Sequence, residues 1–472
     1  MVTINILIYT DVSDISLVDD EGEKRATILK SLLETQTLAF AEFTVDLINR
    51  HDGFTDTRTG TLHKLTDALL QPFDEVWLFG MYQQKVPDPF TELHGGPNNE
   101  FDEEELRVLE RWMKQGGLLI AGDHSVFRPG GKETDPINTF QCLGRALGQH
   151  VPRAGQLRIW DGPPTIDFDS SFNTLVRTTT SPENDPDLQE DALPQTLLLR
   201  KFGPNQTPHR IFLGKTETIS VLPDHAHEGG VVIPDELGEK WPPFDESDDK
   251  KKPQPDIVAY GCDKRSCHSR PVLAVYDGDR FQIGRIVADS SWHQYLNVNL
   301  RGLQVPEQEP TLELLKQLYH NLALFLTPLA KRQQMSRELI RWLLHHPEVK
   351  EERGNHPVAV GRVAIHYLSK KTTRCEIQEL LQVAGIFTGW PSERMNFAEV
   401  AIGIGVMPSQ ELVLGALLNS YYRAASEQLN QETNSKTPPT DAEIIKRGFQ
   451  EAFATHQEFL SRAASTFGDL NL

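Results

Sequence analysis

Two stretches decide the fold: GGLLIAGDHS at residues 116–125 and GRIVADSSWH at residues 284–293. Each begins with glycine, continues as an uninterrupted apolar run and ends in polar side chains. A short apolar run of this kind is typical of a central parallel strand that is buried on both faces. In open α/β sheets, ligands bind outside the carboxyl ends of such strands. We therefore expect both polar clusters to lie at one edge of one sheet.

The sequence around these stretches predicts strands and helices in alternation. Residues 4–10 and 76–80 predict two more strands. Residues 24–50 carry apolar side chains at helical spacing, and residues 45–48 either continue that helix or begin the next strand. Asp102 and Glu105 have the spacing of a capping box at the start of a further helix. Alternation of this type predicts right-handed crossovers and an α/β fold with a mainly parallel sheet flanked by helices.

The second half of the sequence predicts one hairpin and then a change of character. Strands at residues 271–276 and 281–289 flank the turn residues Asp277-Gly278-Asp279, which is a hairpin signal. After residue 330 only helical patterns remain, at residues 337–345, 377–384, 397–401, 411–426 and 442–464. We expect an α/β domain at 1–330, with insertions at about 150–210 and 230–270, followed by an all-α domain at 331–472. The helical domain suits contacts with a protein partner or a homo-oligomer.

The composition of the sequence indicates which kinds of partner and which cellular compartment to expect. The 472 residues carry a formal net charge of −20, whereas surfaces that bind nucleic acid or anionic membranes are basic. No apolar run approaches the length of a membrane span, and the N-terminal MVTINILIYTD predicts a first strand rather than a signal peptide. Four cysteines in so long a chain favour a reducing compartment. We expect a cytoplasmic protein with a small-molecule ligand, and neither nucleic acid nor membrane as partner.

The glycine-bounded strands resemble the class I glutamine-amidotransferase-like fold and, within it, the ThuA-like (trehalose utilisation) family. That family has a double or triple glycine, an apolar strand and then a His-Ser or His-Ala pair, and residues 116–117 and 124–125 match this pattern. It also has a Gly-Arg pair, a short strand and Gly-His, matched by residues 284–286 and His293, with Trp292 in place of the glycine. The resemblance implies an amidotransferase-like or flavodoxin-like α/β domain and a small polar substrate of carbohydrate-like character.

The turn after the first decisive strand carries Asp123, His124 and Ser125. True glutamine amidotransferases have a cysteine at this turn, so we do not expect glutaminase activity. His124 suits the role of general base or metal ligand, and Ser125 that of a nucleophile if a base lies beside it. The alternative is that these side chains only shape the turn, and the G-x-S-x-G motif of serine hydrolases is not present here.

The second polar cluster supplies further candidates. Asp289 is a candidate orienting partner for His124 or His293. Trp292 and Asn297 are candidates for substrate contacts, with burial in the core as the alternative for the tryptophan. Asp11, which directly follows the first predicted strand, also suits substrate binding, although an acidic residue at this position is often a turn former.

The string VLPDHAHEGG at residues 221–230 predicts a divalent-metal site as one of three interpretations. In an extended segment His225 and His227 face one way and Glu228 faces the other. Two imidazoles joined by a carboxylate from elsewhere suit zinc, manganese or iron, and Glu228 is the third candidate ligand in the string. The other interpretations are an active-site loop without metal and an ordinary loop. No cofactor is certain from the sequence.

Two classes of function follow from these residues. The first is a hydrolase or lyase for a small polar substrate, with catalytic residues drawn from the two polar clusters and assisted, in one version, by a metal. The second is a non-catalytic ligand-binding or scaffold protein whose helical domain contacts a partner or another copy. The candidate catalytic residues are His124, Asp123, Ser125, Asp289 and His293.

Overall fold

A computed structural model describes residues 1–10, 26–35, 38–50, 63–79, 103–121, 194–202, 206–223, 231, 256–262, 269–279, 284–290, 293–387, 410–430 and 441–468. The chain forms two compact units. The α/β unit comprises Thr3–Thr37 and Ala41–Pro328. The helical unit comprises Leu329–Leu472 together with Met1–Val2 and Leu38–Phe40.

A nine-stranded mixed sheet forms the α/β unit. Its strands are β1 Val2–Thr10, β2 Ala41–Asn49, β3 Glu75–Phe79, β4 Gly117–Ala121, β5 Gln195–Leu199, β8 Val221–Leu222, β9 Asp256–Cys262, β10 Ser269–Tyr276 and β11 Ile286–Asp289. A separate two-stranded sheet pairs β6 Lys201–Phe202 with β7 Thr207–Pro208. The order in the large sheet is β2-β1-β3-β4-β11-β10-β9-β5-β8.

The first five strands of this order run parallel, and the other four are antiparallel to their neighbours. β1, β3, β4 and β11 form parallel pairs. Val2 N–H donates to Phe40 O and Arg50 N–H donates to Thr10 O, so β2 runs in the same direction beside β1. The hairpin predicted between β10 and β11 is confirmed as an antiparallel pair. The predicted α/β class with a largely parallel sheet is confirmed.

The helices of the α/β unit are α1 Thr27–Glu34, α2 Asp67–Leu70, α3 Glu103–Trp112, α4 Asn297–Arg301 and α5 Glu309–Leu326. The helical unit contains α6 Leu329–His345, α7 Pro347–Glu351, α8 Pro357–Lys371, α9 Arg374–Phe387, α10 Gln410–Asn430 and α11 Asp441–Gly468. The C-terminal helices are therefore confirmed where the structure describes them, and α7 and α8 are additions that the sequence pattern did not reveal. The helix predicted at 397–401 lies outside the described residues. Among the described helices, none is both long and apolar enough to cross a membrane.

The central strands are buried on both faces, which explains their uninterrupted apolar sequences. Every residue of β3 and β4 is buried. On one face Val76 and Leu78 join a cluster that includes Leu109 of α3. On the other face, the rings of Trp77 and Phe79 lie 5.9 and 5.0 Å from that of Tyr295, measured between centroids.

The helix predicted from residue 24 ends earlier than its apolar spacing indicates, and residues 45–48 belong to a strand, the second of the two interpretations. α1 ends at Glu34, and β2 occupies Ala41–Asn49. In β2, Ala41, Phe43 and Val45 are buried while the residues between them are exposed. The burial period of two residues, set by the neighbouring strand β1, overrides the helical spacing of apolar residues in this segment.

Candidate functional site

The parallel strands end together at one edge of the sheet, which we call the carboxyl edge. The register pairs Thr10 with Phe79, Phe79 with Ala121, and Ala121 with Asp289. β1 connects to β2 on one side, while the next strand, β3, lies on the other side of β1. The strand order therefore reverses between β1 and β3, and such a switch point is where open α/β sheets bind ligands.

Most of the predicted site residues lie outside the described residues, and five of them follow the ends of the parallel strands in the sequence. These are Asp11, Asp123, His124, Ser125 and Trp292, together with His225, His227 and Glu228 of the predicted metal loop. The structure does place Thr10, Ala121 and Asp289, which lie one to three positions before Asp11, Asp123 and Trp292, at the carboxyl edge. His293 begins a 3₁₀ turn, His293–Tyr295, shortly after β11.

Asp289 is fully buried and holds the chain that follows β11. Its Oδ2 accepts hydrogen bonds from Gln294 Nε2 and from the hydroxyl of Tyr295, the latter at 2.7 Å. The hydroxyl of Tyr319 donates to Gln294 O at 2.8 Å. In a buried site, a carboxylate with two donors is stabilised where it stands. Asp289 therefore fixes the 3₁₀ turn, and this contact is distinct from the predicted role of orienting a histidine.

The two tyrosines of this network remain protonated at ordinary pH. Burial, followed by the charge of Asp289, raises the pKa of Tyr295 well above its usual value. The same two causes raise the pKa of Tyr319. Both hydroxyl groups therefore act as permanent donors in this part of the core.

Asn297 joins α4 to the first turn of α1. Its Oδ1 accepts from Ile28 N–H at 3.0 Å, and its Nδ2 donates to Thr27 Oγ1 at 2.7 Å. The residue that precedes α1, Ala26, makes no side-chain cap. Asn297 is almost completely buried and takes the capping role from a distant point in the chain. Its described contacts are thus with the protein rather than with a pocket, in contrast to the predicted substrate contact.

The motif glycines lie at the opposite edge, where the parallel strands begin. A Cβ at Gly117 would stand 2.0 Å from Leu326 O, and one at Gly284 would stand 1.6 Å from Gly116 O. These glycines allow β4, β11 and the end of α5 to approach closely. The glycines therefore permit close packing at this edge. The polar residues of both stretches follow the strand ends at the carboxyl edge.

The arginine beside Gly284 belongs to a charge cluster that sequence reasoning missed. Arg285 is 1% exposed, with Nε 3.0 Å from Asp279 Oδ2 and Nη2 3.1 Å from Asp277 Oδ2. Its Nη1 donates to Phe325 O at 3.1 Å, and its guanidinium lies 4.6 Å from the centroid of the Phe325 ring. Arg210 reaches the same Asp277 carboxylate at 3.2 Å. The spacing Asp277, Asp279, Arg285 was the available signal, but it had been interpreted only as turn chemistry.

The described residues include no group of three or more His, Cys, Asp or Glu side chains placed to hold a metal ion. The predicted zinc, manganese or iron site at residues 225–228 falls outside that search, so it stays a prediction.

Comparisons with known proteins leave the family open. No family model matches the chain, and no curated protein matches it. Among solved structures, the chain is similar to one described as "mmIFT52 N-terminal domain", with 12% sequence identity and a TM-score of 0.34. That match covers 66% of this chain and 96% of the other.

Proposed function

We propose that this chain is a binding protein that takes a small polar ligand at the carboxyl edge of its sheet. The observation that carries the proposal is the alignment of four adjacent parallel strand ends, at Thr10, Phe79, Ala121 and Asp289, beside the reversal of strand order. Polar residues follow three of these ends in the sequence, at Asp11, 123–125 and 290–293.

A binding role is favoured over a catalytic one by the described contacts of two candidate residues. Asp289 is engaged by Gln294 and Tyr295, and Asn297 by Ile28 and Thr27. Both contacts stabilise the framework around the edge. The first-turn amide of Ile28 is also occupied, so we infer that the ligand is not held there in the manner of a nucleotide phosphate.

The framework we propose for this site is amidotransferase-like, similar to the ThuA-like family and without its relatives' catalytic cysteine. The resemblance supports a ligand rich in hydroxyl groups, such as a sugar. The reducing compartment favoured by the low cysteine content supports a cytoplasmic location.

Titration calorimetry of the full-length protein against mono- and disaccharides, trehalose included, tests the proposal. We expect saturable binding that Asp11→Ala and His124→Ala each weaken by at least about tenfold, since each removes roughly one polar contact with the ligand. Asp46→Asn, a change at an exposed carboxylate of β2, is the matched control and should leave the affinity unchanged. Equal affinity in all variants would contradict the proposal. So would hydrogen exchange in which the ligand protects only the amides around Arg285.

A second candidate function is a hydrolase or lyase at the same edge. The observation that favours it is the register pair Ala121–Asp289, because the segments that carry His124 and His293 leave the sheet from neighbouring positions. Metal analysis and product analysis distinguish the two candidates. Stoichiometric zinc, manganese or iron that is lost in His227→Ala, with turnover of a bound sugar, would establish the enzyme. Recovery of the sugar unchanged would support the binding protein.

A further inference from the structure

Three residues from early in the sequence belong to the helical unit: Leu38, Ala39 and Phe40. Leu38 and Phe40 are 1% and 6% exposed. The segment lies between α1 and β2 in the chain, yet the amides of Ala39 and Phe40 donate hydrogen bonds to Glu376 of α9, which is 337 and 336 positions away. The helical unit is thus built around a short segment that is not part of its own continuous sequence.

Glu376 of α9 holds the main chain of this segment. Its Oε2 accepts from Ala39 N–H at 3.0 Å, and its Oε1 accepts from Phe40 N–H at 3.2 Å. Thr372 Oγ1 donates to the same carboxylate, which is fully buried. Hydrogen bonds from amides to an ionised carboxylate are stronger than neutral ones, and here each oxygen binds one of two consecutive amides. Recognition of this kind depends on backbone groups rather than on side-chain identity.

The sequence around Glu376 explains how the carboxylate is positioned. α9 begins at Arg374, and the preceding Thr373 accepts Glu376 N–H at its Oγ1 at 3.2 Å. Thr373 and Glu376 therefore have the spacing of a capping box, in which the acidic side chain lies over the start of the helix. From that place its oxygens reach the amides of Ala39 and Phe40.

An aromatic contact adds preference for one side chain of the segment. The ring of Phe40 meets that of Trp342 in α6 edge-on, with 6.2 Å between centroids and an interplanar angle of 71°. The carbonyl of Phe40 accepts from Val2 N–H at 2.9 Å, and Val2 also belongs to the helical unit. Residues of α9 and α6 therefore hold the segment through two amides and one ring, while its carbonyl pairs with the first residue of β1.

We propose that the helical unit is a docking site for an extended main-chain segment that presents two consecutive amides and an aromatic side chain. Its occupant is the chain's own Leu38–Phe40. This inference does not depend on the ligand-binding function proposed above, because none of the residues involved lies at the carboxyl edge. It assigns Glu376 as the residue that binds the segment and Trp342 as the residue that selects the aromatic ring.

Hydrogen exchange on the full-length protein tests the docking site. Glu376→Gln should speed exchange at the amides of Ala39 and Phe40 by at least about tenfold, the change expected when roughly one charged hydrogen bond is lost. The matched control is Glu379→Gln, which alters another fully buried carboxylate of α9 that lies 3.3 Å from Arg332. Protection within α10 should stay unchanged in Glu376→Gln, which shows that the helical unit remains folded.

A reciprocal variant keeps the test decisive if Glu376→Gln fails to fold. Phe40→Ala should speed exchange in the first turn of α9 by about tenfold, because the docked segment is weakened from its own side. Phe40→Tyr should retain protection. The proposal is overturned if Ala39 and Phe40 exchange equally in the two glutamate variants, or if Phe40→Ala leaves the first turn of α9 unchanged.

Discussion

Arg50 and Glu105 form a bidentate ion pair in the core, with Nη1 2.7 Å from Oε1 and Nη2 3.1 Å from Oε2. Both side chains are almost completely removed from solvent. Glu105 Oε1 also accepts Leu65 N–H at 2.9 Å, and Arg50 Nη1 donates to the hydroxyl of Tyr9 at 3.1 Å. The pair therefore links the end of β2 to α3, to β1 and to the segment before α2. The capping-box role predicted for Glu105 does not account for these contacts.

Loss of either partner of this pair should be strongly destabilising. Glu105→Ala or Arg50→Ala leaves an uncompensated buried charge, which costs about 3–5 kcal/mol of unfolding free energy. The double variant Arg50→Met/Glu105→Leu should lose clearly less than the sum of the single changes, because neither charge is then left alone. Urea unfolding followed by circular dichroism measures the differences.

The exposed pair between Arg111 and Asp67 provides the control for that experiment. Their side chains are 46% and 66% exposed. Asp67→Asn should leave the urea midpoint unchanged, since solvent screens exposed pairs. Strict additivity in the Arg50 and Glu105 cycle would show that the two charges are not coupled.

Alanine at Gly117 or Gly284 should disrupt the edge of the sheet at which the parallel strands begin. At Gly117 and Gly284 the new Cβ meets backbone carbonyl oxygens at 2.0 and 1.6 Å, so strands or helix must shift. We expect a loss of at least about 2–3 kcal/mol, or no folded protein. At Gly354 nothing lies within 4 Å, but φ is +80°. Gly354→Ala should therefore cost only about 1–2 kcal/mol, and Gly354→Asn less. Thermal unfolding of the three alanine variants checks this order.

The central part of the fold was predictable because burial on both faces leaves little ambiguity. Residues 118–121 and 286–288 are apolar without interruption, and the structure places them in β4 and β11 as parallel neighbours. The hairpin around residues 277–279 was predictable because an Asp-Gly pair between two apolar runs is a strong local hairpin signal. In both cases the local signal and the tertiary environment agree.

The strand β2 and the contacts of the candidate site residues were not predictable, because they depend on partners that are distant in the sequence. Residues 41–49 form a strand through pairing with β1, although their apolar spacing also fits a helix. The sequence predicts Asp289 as a catalytic residue and Asn297 as a substrate-binding residue, but a polar residue near a strand end does not reveal its partner. That partner proved to be Tyr295 for the first and the start of α1 for the second.

His320 should make the stability of the α/β unit depend on pH. Its Nε2 lies 3.0 Å from the carbonyl oxygens of Leu33 and Thr35, and its Nδ1 lies 2.7 Å from Lys316 O. Burial is the main cause that lowers the pKa of His320 from 6.5 to about 4. The unfolded chain therefore takes up a proton at higher pH than the folded chain does. The contribution of neutral His320 to the free energy of unfolding is therefore complete above pH 6.5 and is lost as the pH falls towards 4.

The size of this effect should be about 3 kcal/mol between pH 7.5 and pH 4. Urea unfolding at a series of pH values measures it. His320→Gln should be less stable than the wild type at pH 7.5, yet it should show a flatter pH dependence. His366→Gln, a change at an exposed histidine of α8, should keep the wild-type dependence. Parallel pH curves for the wild type and His320→Gln would contradict the assignment.

Asn297 provides a test of whether a predicted ligand residue is in fact a helix cap. Asn297→Ala removes the acceptor for Ile28 N–H and the donor to Thr27, so it should cost about 1–2 kcal/mol and speed exchange in the first turn of α1. Asn297→Asp keeps an acceptor at a helix N-terminus, where negative charge is favourable, and should retain most of the protection. Any sugar that binds should keep its affinity in Asn297→Asp. If Asn297→Ala abolishes binding while α1 stays protected, the side chain contacts the ligand and the capping assignment is wrong.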